Sequence, residues 1–225
     1  MGEMLTLTAS DGAKIGGNEA KPAGKPRGGL VVVQEIFGVN AHIRSVADGY
    51  AAEGYHVISP AIFDRAERGV ELGYDKPDAD RGVALRARIP VEETLRDIGA
   101  AVAALGGSGK TGIVGYCYGG SLAWMSAARV DGLSAAVGYY GSMVAANLGL
   151  KPRCPVMLHF GEEDKGIPMS DIARIRAAVD PAMVQVFTYP GAGHAFNRKG
   201  HAPWHEASAK LALERTLEFL RRHVG

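Results

Sequence analysis

Cysteine is scarce: Cys117 and Cys154 are the only two in 225 residues. Two thiols cannot build a disulfide framework, so both are expected to be reduced and the fold must rest on its core. Surplus charge of either sign is equally scarce, because 25 Lys and Arg against 24 Asp and Glu leave a formal +1. That excludes general nucleic-acid affinity, which needs a cationic surplus to displace counterions from phosphates. No apolar run reaches the roughly 18 residues of a membrane span. The opening MGEMLTLTASDGAKIGG has no apolar h-region of the kind a signal peptide carries. These absences predict a cytoplasmic protein with neither membrane nor nucleic acid as partner.

What remains is globular in composition, with 47% hydrophobic and 22% charged residues. A chain of this mass should fold to roughly 9,800 Å² of surface from roughly 34,000 Å² extended, burying about 70%. Glycine is the excess: 31 residues, about twice the usual share of ~7%. Many tight turns and close backbone approaches follow, as in layered α/β folds.

Helical and extended patterns alternate along the chain. Residues 30–34 (LVVVQ) read as a strand covered on both faces. A helix over 42–54 and a strand from His56 follow. Residues 64–90 are polar without clean periodicity and predict a loop or lid. Pro90 opens a helix with acids early and apolar residues at helical spacing. Apolar runs at 112–116, 133–141, 154–161 and 184–191 predict strands, with helical stretches at about 119–130 and 169–179 between them. The last segment, HEASAKLALERTLEFLRRHV, carries an apolar stripe and ends in cations that suit a helix C-terminus. Repeated strand–helix units predict a single α/β domain over residues 1–225, its sheet mostly parallel with helices on both faces.

Gly115-Tyr116-Cys117-Tyr118-Gly119-Gly120 follows a predicted strand and precedes a predicted helix, which is a nucleophile elbow with Cys in place of Ser. The turn is so tight that only small residues fit two positions either side of the nucleophile. Sulfur at a helix N-terminus is favoured as a thiolate, and the Tyr118 N–H is placed to bind an oxyanion. Cys154, before Pro155 at a strand start, reads as core packing. A triad on this scaffold then needs an acid and a histidine in loops after later strands. Asp164 meets the first need, with Glu162 and Glu163 as competitors; His194 in GAGHAF meets the second. Glu35, directly after VVVQ, would be a costly buried carboxylate without a partner, for which Cys117 or an arginine would serve. The solvent-facing alternative stays open. Residues 104–111 (ALGGSGKT) fit a relaxed P-loop, but a helix precedes them and a strand follows, the reverse of what a phosphate cradle requires.

QEIFGVN at 34–40, GYCYGG at 115–120, GYYG at 138–141, G-x-x-D-x-x-I-P at 161–168 and AGHAF at 192–196 resemble the dienelactone hydrolase (carboxymethylenebutenolidase) family of α/β-hydrolases. The similarity runs over nearly the whole chain. It implies a Cys117–His194–Asp164 triad with no metal or organic cofactor. It implies that Glu35 accepts a hydrogen bond from the resting thiol and takes its proton when substrate arrives. The Ile36 N–H would be the second oxyanion donor. Two arginines hold a substrate carboxylate in the family; Arg198 matches one, and Arg81 is favoured over Arg86 and Arg88 for the other. The expected activity is hydrolysis of a lactone or ester, carboxylate-bearing, through a thioacyl-enzyme, in a monomer or weak homo-oligomer. Two rivals are a general esterase or thioesterase and a non-catalytic binding protein on the same fold.

Overall fold

Near the N-terminus, Asp11 and Gly12 reverse the chain, and the Ala9 N–H donates to the Ala13 carbonyl at 2.8 Å. This turn joins two antiparallel strands, β1 (Glu3–Thr8) and β2 (Lys14–Ala20). The structure, a computed structural model, describes residues 2–225. The succession continues with β3 (Gly28–Val33), α1 (Ala41–Ala52), β4 (Tyr55–Pro60), α2 (Lys76–Ala87) and α3 (Val91–Ala104). Then come β5 (Thr111–Tyr116), α4 (Tyr118–Arg129), β6 (Leu133–Tyr139), β7 (Val156–Gly161), α5 (Met169–Ala178), β8 (Val184–Tyr189) and α6 (Glu206–His223). The expected α/β architecture is present.

The eight strands form one sheet in the order β1-β2-β4-β3-β5-β6-β7-β8. Strands from β4 through β8 run parallel, and β2 is antiparallel to both its neighbours. Every residue of β3, β5 and β7 is buried, as their unbroken apolar runs require of strands covered on both faces. Arg221 of α6 reaches Glu53 at the end of α1, and Arg129 of α4 reaches Glu92 of α3, so the helices flank the sheet as two layers. The surface is 9663 Å², close to the value expected from chain length. No helix among the described residues is long and apolar enough to cross a membrane.

Two consequences position the site. The chain leaves β3 toward β4 on one side and places β5 on the other, so the crevice beyond the ends of β3 and β5 is a topological switch point, where such sheets bind ligands. The second concerns residues 64–90, expected as a loop or lid. They begin within a short 3₁₀ turn at Ile62–Arg65 and contain the twelve-residue helix α2. Asp75 caps α2 by accepting from the Asp78 N–H, and Pro77 sits in its first turn. Only Gly82 and Leu85 of α2 are buried, so no apolar stripe advertised the helix.

Candidate active site

The elbow is imposed by sterics. Cys117 takes φ 53° and ψ −112°, a backbone conformation that costs a non-glycine residue about 1–3 kcal/mol. Backbone hydrogen bonds hold it there: the Cys117 N–H donates to the Tyr139 carbonyl at 3.0 Å and the Gly119 N–H to that of Gln34 at 3.1 Å. A Cβ at Gly115 would lie 1.9 Å from the Gly119 carbonyl oxygen, so the glycine spacing is obligatory. The half-buried thiol therefore stands at the start of α4, between the ends of β3 and β6.

His194 Nε2 lies 3.2 Å from Cys117 Sγ, and His194 Nδ1 lies 2.7 Å from Asp164 Oδ2. Asp164 is buried, its other oxygen accepting from the Gly166 N–H at 2.8 Å, whereas Glu162 and Glu163 are exposed. Burial alone would push the imidazole pKa down. Its hydrogen bonds to Asp164 and Cys117, with their negative charges, outweigh that and raise it from 6.5 to about 10. An imidazolium held this way contributes stability in full below about pH 6.5, and that contribution is lost as pH rises through about 10. The urea midpoint of the native protein should exceed that of His194→Gln at neutral pH, and the gap should close near pH 10. A gap independent of pH would contradict the ion pair.

Glu35 is buried at the tip of β3, and both its oxygens are taken by Arg198. Arg198 Nε donates to Oε2 at 3.1 Å and Nη2 to Oε1 at 2.9 Å. The guanidinium also lies over the rings of Tyr74 (4.2 Å) and Phe37 (5.1 Å). Burial would lower its pKa, but Glu35 reverses this and holds it above its ordinary value. So Glu35 meets an arginine, and the thiol's hydrogen bond runs to His194. Nη1 of Arg198 has no acceptor among the described residues.

The other arginines separate clearly. Arg81 is exposed and paired with Glu67, and Arg88 donates to the Ala66 carbonyl. Arg86 instead lies 4.8 Å over the ring of Tyr118, the residue after the thiol, and its Nη2 meets Met143 Sδ at 3.1 Å. Among the described residues it has no carboxylate partner. α2 can deliver it there because residue 82 is glycine: a Cβ would lie 2.0 Å from the Ile36 carbonyl oxygen. The amides of Ile36 and Tyr118 have no backbone acceptor among the described residues, as oxyanion donors require.

Tyr140, Tyr74 and Phe37 were not singled out from sequence. Tyr140 takes φ 40°, its hydroxyl is buried without a partner among the described residues, and its ring lies 5.1 Å from that of His194. GYYG carried a signal for it only as part of a family motif. Cys154 is buried away from any such setting, and burial pushes its thiol up to about 11.

A model of the dienelactone hydrolase family matches residues 15–224. The carboxymethylenebutenolidase of Pseudomonas putida is 32% identical over 226 residues, spanning 97% of this chain and 95% of the relative. An Azospirillum brasilense protein provisionally named carboxymethylenebutenolidase is 33% identical over 232 residues, spanning 98% of this chain and 99% of its own. A Klebsiella pneumoniae crystal structure, provisionally named a dienelactone hydrolase, superposes with a TM-score of 0.84 at 28% identity, covering 99% of this chain and 100% of that one.

Proposed function

The chain belongs to the dienelactone hydrolase family and is a hydrolase of esters or lactones; from that premise we propose that it opens a carboxylate-bearing lactone through a thioacyl-enzyme on Cys117. The observation that carries this reading is the aligned series Cys117 Sγ, His194 and Asp164, at 3.2 and 2.7 Å, on a strained elbow. Asp164 fixes the imidazole so that Nε2 faces the sulfur. Sulfur attacks the lactone carbonyl, and the amides of Ile36 and Tyr118 receive the developing oxyanion. Collapse expels the ring oxygen, which stays attached to the acyl chain, and His194 supplies its proton. Water, deprotonated by His194, then releases the product and restores the thiol. In a dienelactone the leaving group is an enolate, which departs more readily than an alkoxide.

Glu35 belongs to this machinery by way of Arg198. Paired as it is, Glu35 keeps the guanidinium charged and fixed where a substrate carboxylate can meet it. The free Nη1 of Arg198 is the donor open to that carboxylate. Arg86 is the second guanidinium we assign to it, in place of Arg81: it is half-buried, has no anionic partner among the described residues, and lies on the residue that supplies one oxyanion amide. Arg198 is bonded to Glu35, next to the residue that supplies the other.

Arg86→Met should lower kcat/KM for a carboxylate-bearing lactone by roughly 10- to 100-fold, about 1.4–3 kcal/mol, the range for a hydrogen bond to a charged group. A neutral p-nitrophenyl ester of similar size should change little, and Arg81→Met should change neither substrate. The same panel tests the reading as a whole. Faster turnover of neutral esters than of carboxylate-bearing lactones would favour the general esterase, and turnover of neither set a binding protein.

A further inference from the structure

The end of the sheet opposite Cys117 carries a second series of hydroxyl, imidazole and carboxylate. Ser108, in the Gly106–Ser108 turn between α3 and β5, places Oγ 2.7 Å from His56 Nδ1. His56 Nε2 is 2.8 Å from Glu19 Oε1, and Glu19 Oε2 is 2.8 Å from Lys21 Nζ. The antiparallel course of β2 brings Glu19 to the same rim as the first residues of β4. In the ladder, Gly29 of β3 stands between His56 and Thr111. A Cβ there would press on Leu105 and on Thr111 Oγ1, each 2.9 Å away, so the glycine lets the segment that leads into the Ser108 turn lie close to the sheet.

The arrangement has what activates a serine. Burial would push the Glu19 carboxyl up, but Lys21 and His56 outweigh this and hold it below its ordinary value, so it is charged at neutral pH. Accepting from Nε2–H, it fixes the tautomer that leaves the Nδ1 lone pair for the hydroxyl proton. The side chains of His56 and Glu19 are only 15% and 18% exposed, while Ser108 is half-buried between glycines. The amides of Gly109 and Lys110 have no backbone acceptor among the described residues, so donors for an oxyanion stand directly after the hydroxyl.

We propose that Ser108 is a second nucleophile, which accepts an acyl group from small activated esters independently of Cys117. Its oxygen forms a bond to the acyl carbon, the hydroxyl proton passes to His56 Nδ1, and the ester's alcohol or phenol oxygen leaves with the bonding electron pair. Water then attacks the acyl-serine, giving the free acid and restoring the hydroxyl. The P-loop-like residues 104–111 thus receive a use that involves no nucleotide.

The test treats the Cys117→Ala protein with p-nitrophenyl acetate and follows the nitrophenolate burst, intact mass and peptide map. The expected product is a single acetyl ester on Ser108, resistant to neutral hydroxylamine and removable by alkaline hydroxylamine. It should be absent from Cys117→Ala/Ser108→Ala and form about 10²-fold more slowly, or slower still, in Cys117→Ala/His56→Gln. Ser108→Ala and His56→Gln with Cys117 intact should keep full lactone turnover, which verifies their folding. No ester on Ser108, acetylation of Lys110 alone, or an unchanged rate with His56→Gln would overturn the proposal and leave the series as a tie between β2, β4 and the turn before β5.

Discussion

Replacing Cys117 by Ala should lower lactone turnover by roughly 10⁵- to 10⁶-fold, the scale on which removal of a triad nucleophile acts. The melting temperature should barely move. Alanine meets the same backbone penalty at φ 53° as cysteine does, and the half-buried sulfur leaves little cavity. Cys117→Gly should be as inactive yet melt above Cys117→Ala, because glycine takes positive φ without strain and its entropic cost is smaller than the strain relieved. Cys154→Ala should reverse the pattern. Its buried thiol contributes packing, so stability should fall by about 1 kcal/mol while turnover is retained. Measuring kcat/KM and melting temperature across the three variants separates the roles. Comparable activity loss at both cysteines would remove Cys117 from the mechanism.

The second large effect concerns the buried pair. Arg198→Met should cost about 3–5 kcal/mol of stability, because it strands the Glu35 carboxylate in the core without a counter-charge. Glu35→Leu should cost a similar amount by stranding the guanidinium. The double variant Glu35→Leu/Arg198→Met should recover most of the loss, since a well-packed apolar pair of similar volume is close to neutral in such positions. Activity on carboxylate-bearing lactones should not recover with it. Urea unfolding of the four proteins gives the coupling energy directly. Additive single costs would show that the two groups do not depend on each other.

Legibility in the sequence followed the range of the interactions. The elbow was readable because its steric demands fall on neighbours: Gly115 and Gly119 are required by a turn six residues long. Asp164 and His194 were readable because each follows a strand within a few residues, and the fold supplies the rest. The Glu35–Arg198 pair joins residues 163 positions apart, and nothing local distinguishes an arginine that will be buried against a carboxylate from one on the surface. That Arg86 rather than Arg81 lies against the elbow was not legible for a related reason. Which of them faces the elbow depends on the rotation of α2, and a helix without an apolar stripe does not declare its inner face. The β1–β2 hairpin was missed because β1 is a largely solvated edge strand, and β2 (KIGGNEA), though mostly buried, carries two glycines, Asn18 and Glu19 in place of an apolar run.

The mechanism stands or falls on a covalent bond to Cys117. Rapid acid quenching of the enzyme with a slowly turned-over lactone, followed by intact-mass measurement and peptide mapping, reports it directly. Ring opening keeps the leaving group on the acyl chain, so the predicted adduct has the mass of the whole lactone and maps to the peptide containing Cys117. It should be absent from Cys117→Ala. A steady rate of hydrolysis with no adduct at Cys117 at any quench time, retained in Cys117→Ala, would contradict the account.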